Sequence, residues 1–340
     1  MRILIVGGTQ FVGRHVVETL LGDGDEVTLF HRGQTNPELF PTAEHRLGDR
    51  NSDLSTLKTG TWDATIDTSA YVPRQVHTLA DVLGGRGGRY VHISSISAYA
   101  SSPGPGITED APLQVLEDPT TETIDGDTYG GLKALCERAA LESFGTTTAM
   151  VGTSNPQSLA VSIVRPTYVA GPHDHTGRFT WWVERIARGG RVLAPSPKDN
   201  PFQVIDGRDL AEFVALLAHG AAAGTFHTAS PAPPFSWEDF LMAVLDEVGP
   251  PGTQLSWVET AALIEAGATG NELPLWHALS EDRYVAAVDP SRAIAAGLRA
   301  RPLAQTIRDI HRHELAAPTP VKAPVGLSPE REQELLKLSA

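Results

Sequence analysis

The chain opens on Arg2-Ile3-Leu4-Ile5-Val6, a continuous apolar run of the kind that forms a strand covered on both faces. Three glycines follow within seven residues, Gly7-Gly8-Thr9-Gln10-Phe11-Val12-Gly13, and beyond Arg14 the residues Val16, Val17, Leu20 and Leu21 are apolar at helical spacing. Strand, glycine turn and helix in immediate succession specify an α/β unit in which the helix packs back on a parallel sheet. A tight turn here lets backbone N–H groups and the helix N-terminus face a pyrophosphate. The plain alternative is a glycine turn that only connects two elements.

At 340 residues the chain is long for one compact domain and comfortable for two. Its net charge of −14 would repel a phosphate backbone, so nucleic acid is not expected as the main partner. Cys136 is the only cysteine, which rules out an intramolecular disulfide and suits a reducing cytoplasm. It lacks a His or Cys companion nearby, so a packed thiol is expected. Met1 runs straight into the apolar strand without a signal-peptide series, and no apolar run reaches the roughly 18 residues of a membrane span. No membrane partner is expected, and no metal site either: His173-Asp174-His175 cannot easily converge three ligands on one ion.

Tyr129-Gly130-Gly131-Leu132-Lys133 carries the candidate chemistry. Tyr and Lys at i and i+4 share one face of a helix. A free Tyr has a pKa of about 10, so working near pH 7 needs a preference for phenolate of about 4 kcal/mol. One cation about 4 Å away, at an effective dielectric near 20, supplies about that much. The spacing therefore predicts that Lys133 lowers the pKa of Tyr129 and makes it a proton donor and acceptor. The bland reading is an amphipathic helix start, running to about Phe144 and capped by Asp127 or Thr128.

These segments together resemble the extended and atypical short-chain dehydrogenase/reductases, the epimerase/dehydratase-like proteins whose first turn usually reads Gly-x-x-Gly-x-x-Gly. Gly7 and Gly13 match the outer positions, and Gln10 stands at the middle one, as in the Gly-Gly-Thr-x-Phe-x-Gly variant. The resemblance implies that Gly7, Thr9, Gln10, Phe11, Val12 and Gly13 hold a dinucleotide. After the second strand, Val27 to Phe30, an acidic residue would select NAD by holding the adenosine ribose. The chain offers His31-Arg32 instead, and Arg32 can pair with a 2′-phosphate, so NADP(H) is preferred and NAD(H) is the alternative. The family also implies that Asp49 lies by the adenine, that Arg50 contacts the cofactor and that Ser69 and Ala70, at the end of the Ala64 to Asp67 strand, border it.

The catalytic hydroxyl of such proteins stands four residues before Tyr99, which selects Ser95; Ser97 and Tyr71 are candidate substrate contacts. The bland reading of Ser95 is a serine satisfying its own backbone. Ile96 and Ser97 replace the Asp-Glu pair that drives elimination in dehydratases, which argues against dehydration. Arg165-Pro166-Thr167-Tyr168-Val169-Ala170-Gly171-Pro172 matches the family's Arg-Pro-x-x-Val-x-Gly-Pro signature and adds Lys133, Pro166, Tyr168 and Val169 to the cofactor contacts. His173, Arg178 and Trp276 are further substrate candidates, with Arg178 suited to an anionic group. Asp209 is read as a helix cap, and Gly145 to Ser158 as a surface insertion.

The expected architecture is a Rossmann-type, doubly wound parallel sheet with a smaller C-terminal substrate lid. Residues 1–166 form the nucleotide-binding unit, completed by about 203–230; 167–202 and 231–315 form the lid; 316–340 form a tail ending in a charged helix. The expected function is an NADP-dependent oxidoreductase acting on a small molecule, with Ser95, Tyr129 and Lys133 as its acid/base set. The alternatives are a nucleotide-sugar epimerase that retains NAD and a non-catalytic nucleotide- or RNA-binding relative. The resemblance also suggests a homodimer.

Overall fold

The computed structural model describes residues 1–101, 104–145, 161–268, 270–277, 283–321 and 323–339, without the side chains of 231–234. The insertion expected after Gly145 lies outside the described residues. The first unit alternates strands and helices: β1 (Arg2–Val6), α1 (Phe11–Gly22), β2 (Glu26–His31), β3 (Glu44–Leu47), β4 (Ala64–Asp67), α2 (Pro73–Leu83), β5 (Arg89–Ile93), α3 (Tyr129–Phe144) and β6 (Val161–Pro166). Alternate residues of β1 enter opposite layers. Ile3 and Ile5 pack with Val16, Val17 and Leu20 of α1, while Leu4 and Val6 pack with Val76 and Leu79 of α2 and Cys136 and Ala140 of α3. Both faces of the sheet are thus covered, as the unbroken apolar strand predicts.

The chain then leaves the sheet through β7 (Tyr168–Ala170), α4 (Arg178–Ala187), β8 (Arg191–Pro195) and β9 (Pro201–Asp206). It returns by α5 (Gly207–Ala218) and β10 (Gly224–Thr228) and leaves again in β11 (Ser230–Ser236), α6 (Trp237–Val248), β12 (Gln254–Val258) and α7 (Thr260–Glu265). The last elements are α8 (Ser291–Ala295), α9 (Leu303–Ala316) and α10 (Pro329–Leu335). The main sheet has seven strands in the order β10-β6-β5-β4-β1-β2-β3, and each neighbouring pair is parallel. Strand order reverses between β1 and β4, so the crevice for a ligand lies outside the carboxyl ends of those strands.

The smaller unit has its own aromatic core, with Phe179, Trp182, Phe202, Trp237 and Phe240 buried together. The charged helix expected after Pro329 is α10, and it is part of this core: Leu335 and Leu336 are buried there, and Glu332 accepts from Arg185 Nε at 2.6 Å. One cap differs from expectation. Asp206, and not Asp209, caps α5 by accepting the Arg208 N–H; Asp209 instead accepts from the N–H and Nε of Arg301. Thr128 is the N-cap residue of α3, without a side-chain bond to the helix, and Asp125 accepts the N–H groups of Asp127 and Thr128 in the turn before it. Among the described residues no helix is long and apolar enough to cross a membrane.

Candidate functional site

The glycine turn lies where β1 leaves the sheet. Gly7 and Gly8 have φ of 109° and 101°, a region that L side chains avoid. A Cβ on Gly13 would sit 2.8 Å from Gly8 N, so only glycine lets α1 start this close to the turn. Gln10 is extended, gives α1 no side-chain cap, and no acidic residue occupies the first turn. Neither Gln10 nor a first-turn carboxylate thus occupies the N-terminal amides of α1, which fits the phosphates of a dinucleotide. Asn36, a residue the sequence reading missed, ties this turn to the loop after β2 by donating to the Thr9 carbonyl at 2.9 Å.

Several expected cofactor contacts do other work. Phe11 is buried, with its ring edge-on to His15 and His175. Val12 packs into the sheet core beside Val169. His31 is also buried: its Nδ1 accepts from Gly33 N at 3.0 Å, and its Nε2 meets His45 Nδ1 at 2.8 Å. Since His45 Nε2 faces the Phe40 carbonyl, one set of tautomers satisfies the whole row and His31 has no ring nitrogen to spare. Arg32, next in sequence, is exposed.

Arg50 departs furthest from its expected place at the cofactor. It forms a two-pronged pair with the fully buried Asp67, at 2.7 and 2.9 Å, and also donates to Ser69 Oγ at 2.9 Å. A planar guanidinium next to a buried carboxylate is drawn inward because each needs the other's charge. Burial pushes the Asp67 carboxyl upward, but Arg50 overcomes this and holds it well below the usual carboxylate range. Asp49 accepts from Asn51 N at 2.9 Å, closing its own turn.

The proton-transfer candidates stand at the ends of β4 and β5. Ser95 follows β5 and caps a 3-10 turn over Ile96–Ala98; its Oγ accepts from Ser97 N and donates to Ser97 Oγ, both at 3.1 Å. The local role anticipated for a serine at a strand end is therefore present. Tyr129 is the first residue of α3. A Cβ on Gly130 would collide with the Ser97 carbonyl, so this glycine brings α3 against the serine turn. Tyr71 lies opposite, its ring centroid 6.5 Å from that of Tyr129.

The pKa of Tyr129 is raised, not lowered as expected, and Lys133 is held by backbone carbonyls. Its Nζ donates to the Ala70 and Ile93 carbonyls, at 2.9 and 2.6 Å, and lies 5.5 Å from the Tyr71 ring centroid. Burial raises the Tyr129 phenol, Tyr71 adds to the rise, and a hydrogen bond with Ser95 and the charge of Arg178 oppose it; the net shift is upward. The helical spacing argument placed the two side chains on one face but could not foresee that two strand-end carbonyls capture the ammonium. Burial in turn lowers the pKa of Lys133.

The substrate candidates divide. Tyr71 faces Tyr129 and the Ser97 carbonyl abuts Gly130, while the Arg178 guanidinium stands 5.8 Å from the Tyr168 ring centroid. Trp276, a substrate candidate, is buried in the core of the smaller unit, its Nε1 donating to the Ser196 carbonyl at 2.7 Å. Tyr168, expected at the cofactor, stacks on Phe202 and His277 of the same unit. His173 sits between α1 and α9, 3.3 Å from Arg14 and with its ring 4.3 Å from that of His313. Burial, then Arg14, push its pKa down to about 4. Pro166 ends β6. The arrangement can orient a substrate oxygen between two hydroxyls and exchange a proton with it.

No family model matches the chain. A curated relative, the chloroplast stem-loop binding protein of 41 kDa b from Arabidopsis thaliana, is 24% identical over 243 residues. That match takes in 65% of this chain and spans just over half of the relative, 56% of its length. Among solved structures, the Bordetella bronchiseptica enzyme WbmH in complex with NAD+ superposes with a TM-score of 0.68 at 17% identity, covering 94% of this chain and 99% of that one. A UDP-glucose 4-epimerase gives 0.69 at 16% identity, over 95% and 100% of the two chains. The Thermus thermophilus UDP-glucose 4-epimerase complexed with NAD gives 0.63 at 19% identity, over 93% and 100%. The strand order, the glycine turn and these superpositions agree that the chain has the fold of the extended short-chain dehydrogenase/reductases of NAD-dependent epimerase/dehydratase type.

Proposed function

We propose that the protein is an NADP(H)-dependent oxidoreductase that interconverts a carbonyl and a hydroxyl on a small molecule. What supports this reading is that Ser95 follows β5, Tyr129 opens α3 and Lys133 of the same helix reaches the Ala70 and Ile93 carbonyls at the carboxyl side of β4 and β5. A bound nicotinamide would supply or accept the hydride. The chain itself does the rest. Ser95 Oγ, already fixed by the Ser97 N–H, orients the substrate oxygen; the Tyr129 phenol gives or takes the proton there; Lys133, between the ends of β4 and β5, sets the local positive charge.

Preference for NADP(H) rests on Arg32, an exposed cation at a strand end where a carboxylate would be needed to favour NAD. Two of the solved neighbours are NAD complexes, so this preference would be a departure of this chain. Titrating the purified apo protein with NADPH and NADH, followed by nucleotide fluorescence, tests it; tighter binding of NADH would overturn it. Tyr129→Phe tests the chemistry, and undiminished turnover would remove Tyr129 from its role.

A second reading is a nucleotide-sugar epimerase, favoured by the superposition on UDP-glucose 4-epimerase. It predicts protein that purifies with tightly held NAD+. The stem-loop binding relative gives a reason to measure RNA retention as well, although a net charge of −14 opposes it.

A further inference from the structure

A buried polar network runs behind the proposed proton-transfer residues, and no step above uses it. Glu137 lies on α3 one helical turn beyond Lys133 and is buried. Its Oε1 accepts from Ser94 Oγ, the residue before Ser95, and from Arg165 Nε at 2.9 Å; its Oε2 accepts from Arg165 Nη2 at 2.6 Å. Arg165, on β6, spends its remaining Nη1 on the Tyr99 hydroxyl at 2.6 Å and the Glu109 carbonyl at 2.9 Å. Tyr99 reaches His227 Nε2 on β10, and His227 Nδ1 faces the Asp289 carbonyl at 2.9 Å. The Glu109 carboxylate receives the His227 N–H at 3.0 Å and pairs with Arg292 Nε at 3.3 Å.

The donors and acceptors along this row are mutually determined. His227 must donate from Nδ1 to a carbonyl, so Nε2 is an acceptor; Tyr99 must then donate to it and accept from Arg165. Burial lowers the pKa of His227 and raises that of Tyr99 to about 12, which keeps both neutral in those roles. One end of the row clamps β5, β6 and α3 together beside Ser95. The other end holds the segment 287–292, which also bonds to the loop after Tyr99 through Gly106 N to the Ala287 carbonyl at 2.6 Å and Asp289 N to the Ile107 carbonyl at 2.9 Å.

We propose that Glu137 and Arg165 are positioning residues that set the distance between Ser95 on β5 and Tyr129 on α3, and that Tyr99 and His227 tie this alignment to the 287–292 segment. The inference rests on the proposed pairing of Ser95 with Tyr129. Ser94 is the most informative position, because its hydroxyl is spent on Glu137 and links the end of β5 to α3. Without that link, the chain that carries Ser95 is no longer held against the helix that carries Tyr129.

The test needs no known substrate. Alkaline titration of tyrosinate absorbance, with the Tyr129→Phe trace subtracted, reports the ionisation of Tyr129. Ser95→Ala, Ser94→Ala and Tyr99→Phe are each expected to move it upward, by about half to one pH unit for the direct Ser95 loss, the equivalent of one hydrogen bond. Ser94→Thr, which keeps the hydroxyl, restores the wild-type titration. Far-ultraviolet circular dichroism at each pH confirms that the variants stay folded through the titration. A shift in Ser95→Ala with none in Ser94→Ala and Tyr99→Phe overturns the positioning role alone. No shift in Ser95→Ala overturns the Ser95–Tyr129 pairing and the positioning role together.

Discussion

Replacing Arg50 by Met separates a structural pair from a cofactor contact, because the two roles predict different observables. In the wild type, Asp67 is fully buried and accepts from both Arg50 Nη groups, from Tyr90 OH at 2.9 Å and from Ser69 N at 3.1 Å. Removing the guanidinium leaves a carboxylate with two neutral donors, and a buried pair broken on one side costs about 3–5 kcal/mol. The carboxyl can limit that cost by taking up a proton. At about 1.4 kcal/mol per unit, its folded pKa would rise roughly two to four units above the unfolded value of about 3.9.

The sign of the pH dependence then reverses. In the wild type the folded pKa is depressed, so the contribution is present above about pH 4 and fades as pH falls through the folded value. In Arg50→Met the folded pKa is raised, so stability is greatest below about pH 4 and is lost as pH rises through the folded value. The destabilisation is expected to grow by about 1.5–3.5 kcal/mol between pH 5 and pH 8. Urea denaturation at the two pH values measures it, and Arg50→Met/Asp67→Asn, with no carboxyl left to ionise, should lose the slope. An equal loss at both pH values would refute the argument. So would wild-type stability combined with weaker NADPH binding, which is what a cofactor contact predicts.

Other outcomes follow from the same geometry. Gly13→Ala gains about 1 kcal/mol of helix propensity, but the new methyl meets backbone at 2.8 Å, where overpacking costs about 1–3 kcal/mol; NADPH affinity should fall about tenfold by fluorescence titration. Arg32→Glu should weaken NADPH about tenfold or more and spare NADH, since a carboxylate repels the 2′-phosphate. Trp276→Phe loses the bond to Ser196 and should lower stability by about 1–2 kcal/mol in urea titrations, leaving KM unchanged because the side chain faces core. Cys136 is buried, and burial pushes its thiol up to about 12, so Ellman's reagent should react only after unfolding.

Strand and helix identity was legible where one local rule dominated. The apolar run 2–6, the glycine turn and the helical spacing of α1 each depend on neighbours in sequence, and they mark the doubly wound sheet. The places of the candidate residues in the fold were legible too, since Ser95 follows β5 and Tyr129 and Lys133 share the first turns of α3. The partners of charged side chains were not. Arg50 was read as facing a cofactor and pairs with Asp67; Lys133 was read as serving Tyr129 and bonds two carbonyls; His173, Tyr168 and Trp276 were read as site residues and pack elsewhere.

The glycine turn shows the division most clearly. By itself the sequence determined that a helix must start within a few residues of the first strand, because conformational freedom and hydrophobic period are properties of a short stretch of chain. Only the tertiary structure decided which buried charges meet. A carboxylate or ammonium taken out of water is drawn to whatever compensating group the packed sheet brings within about 3 Å, and for Arg50, Lys133 and Glu137 that group lies 17 to 63 residues away along the chain.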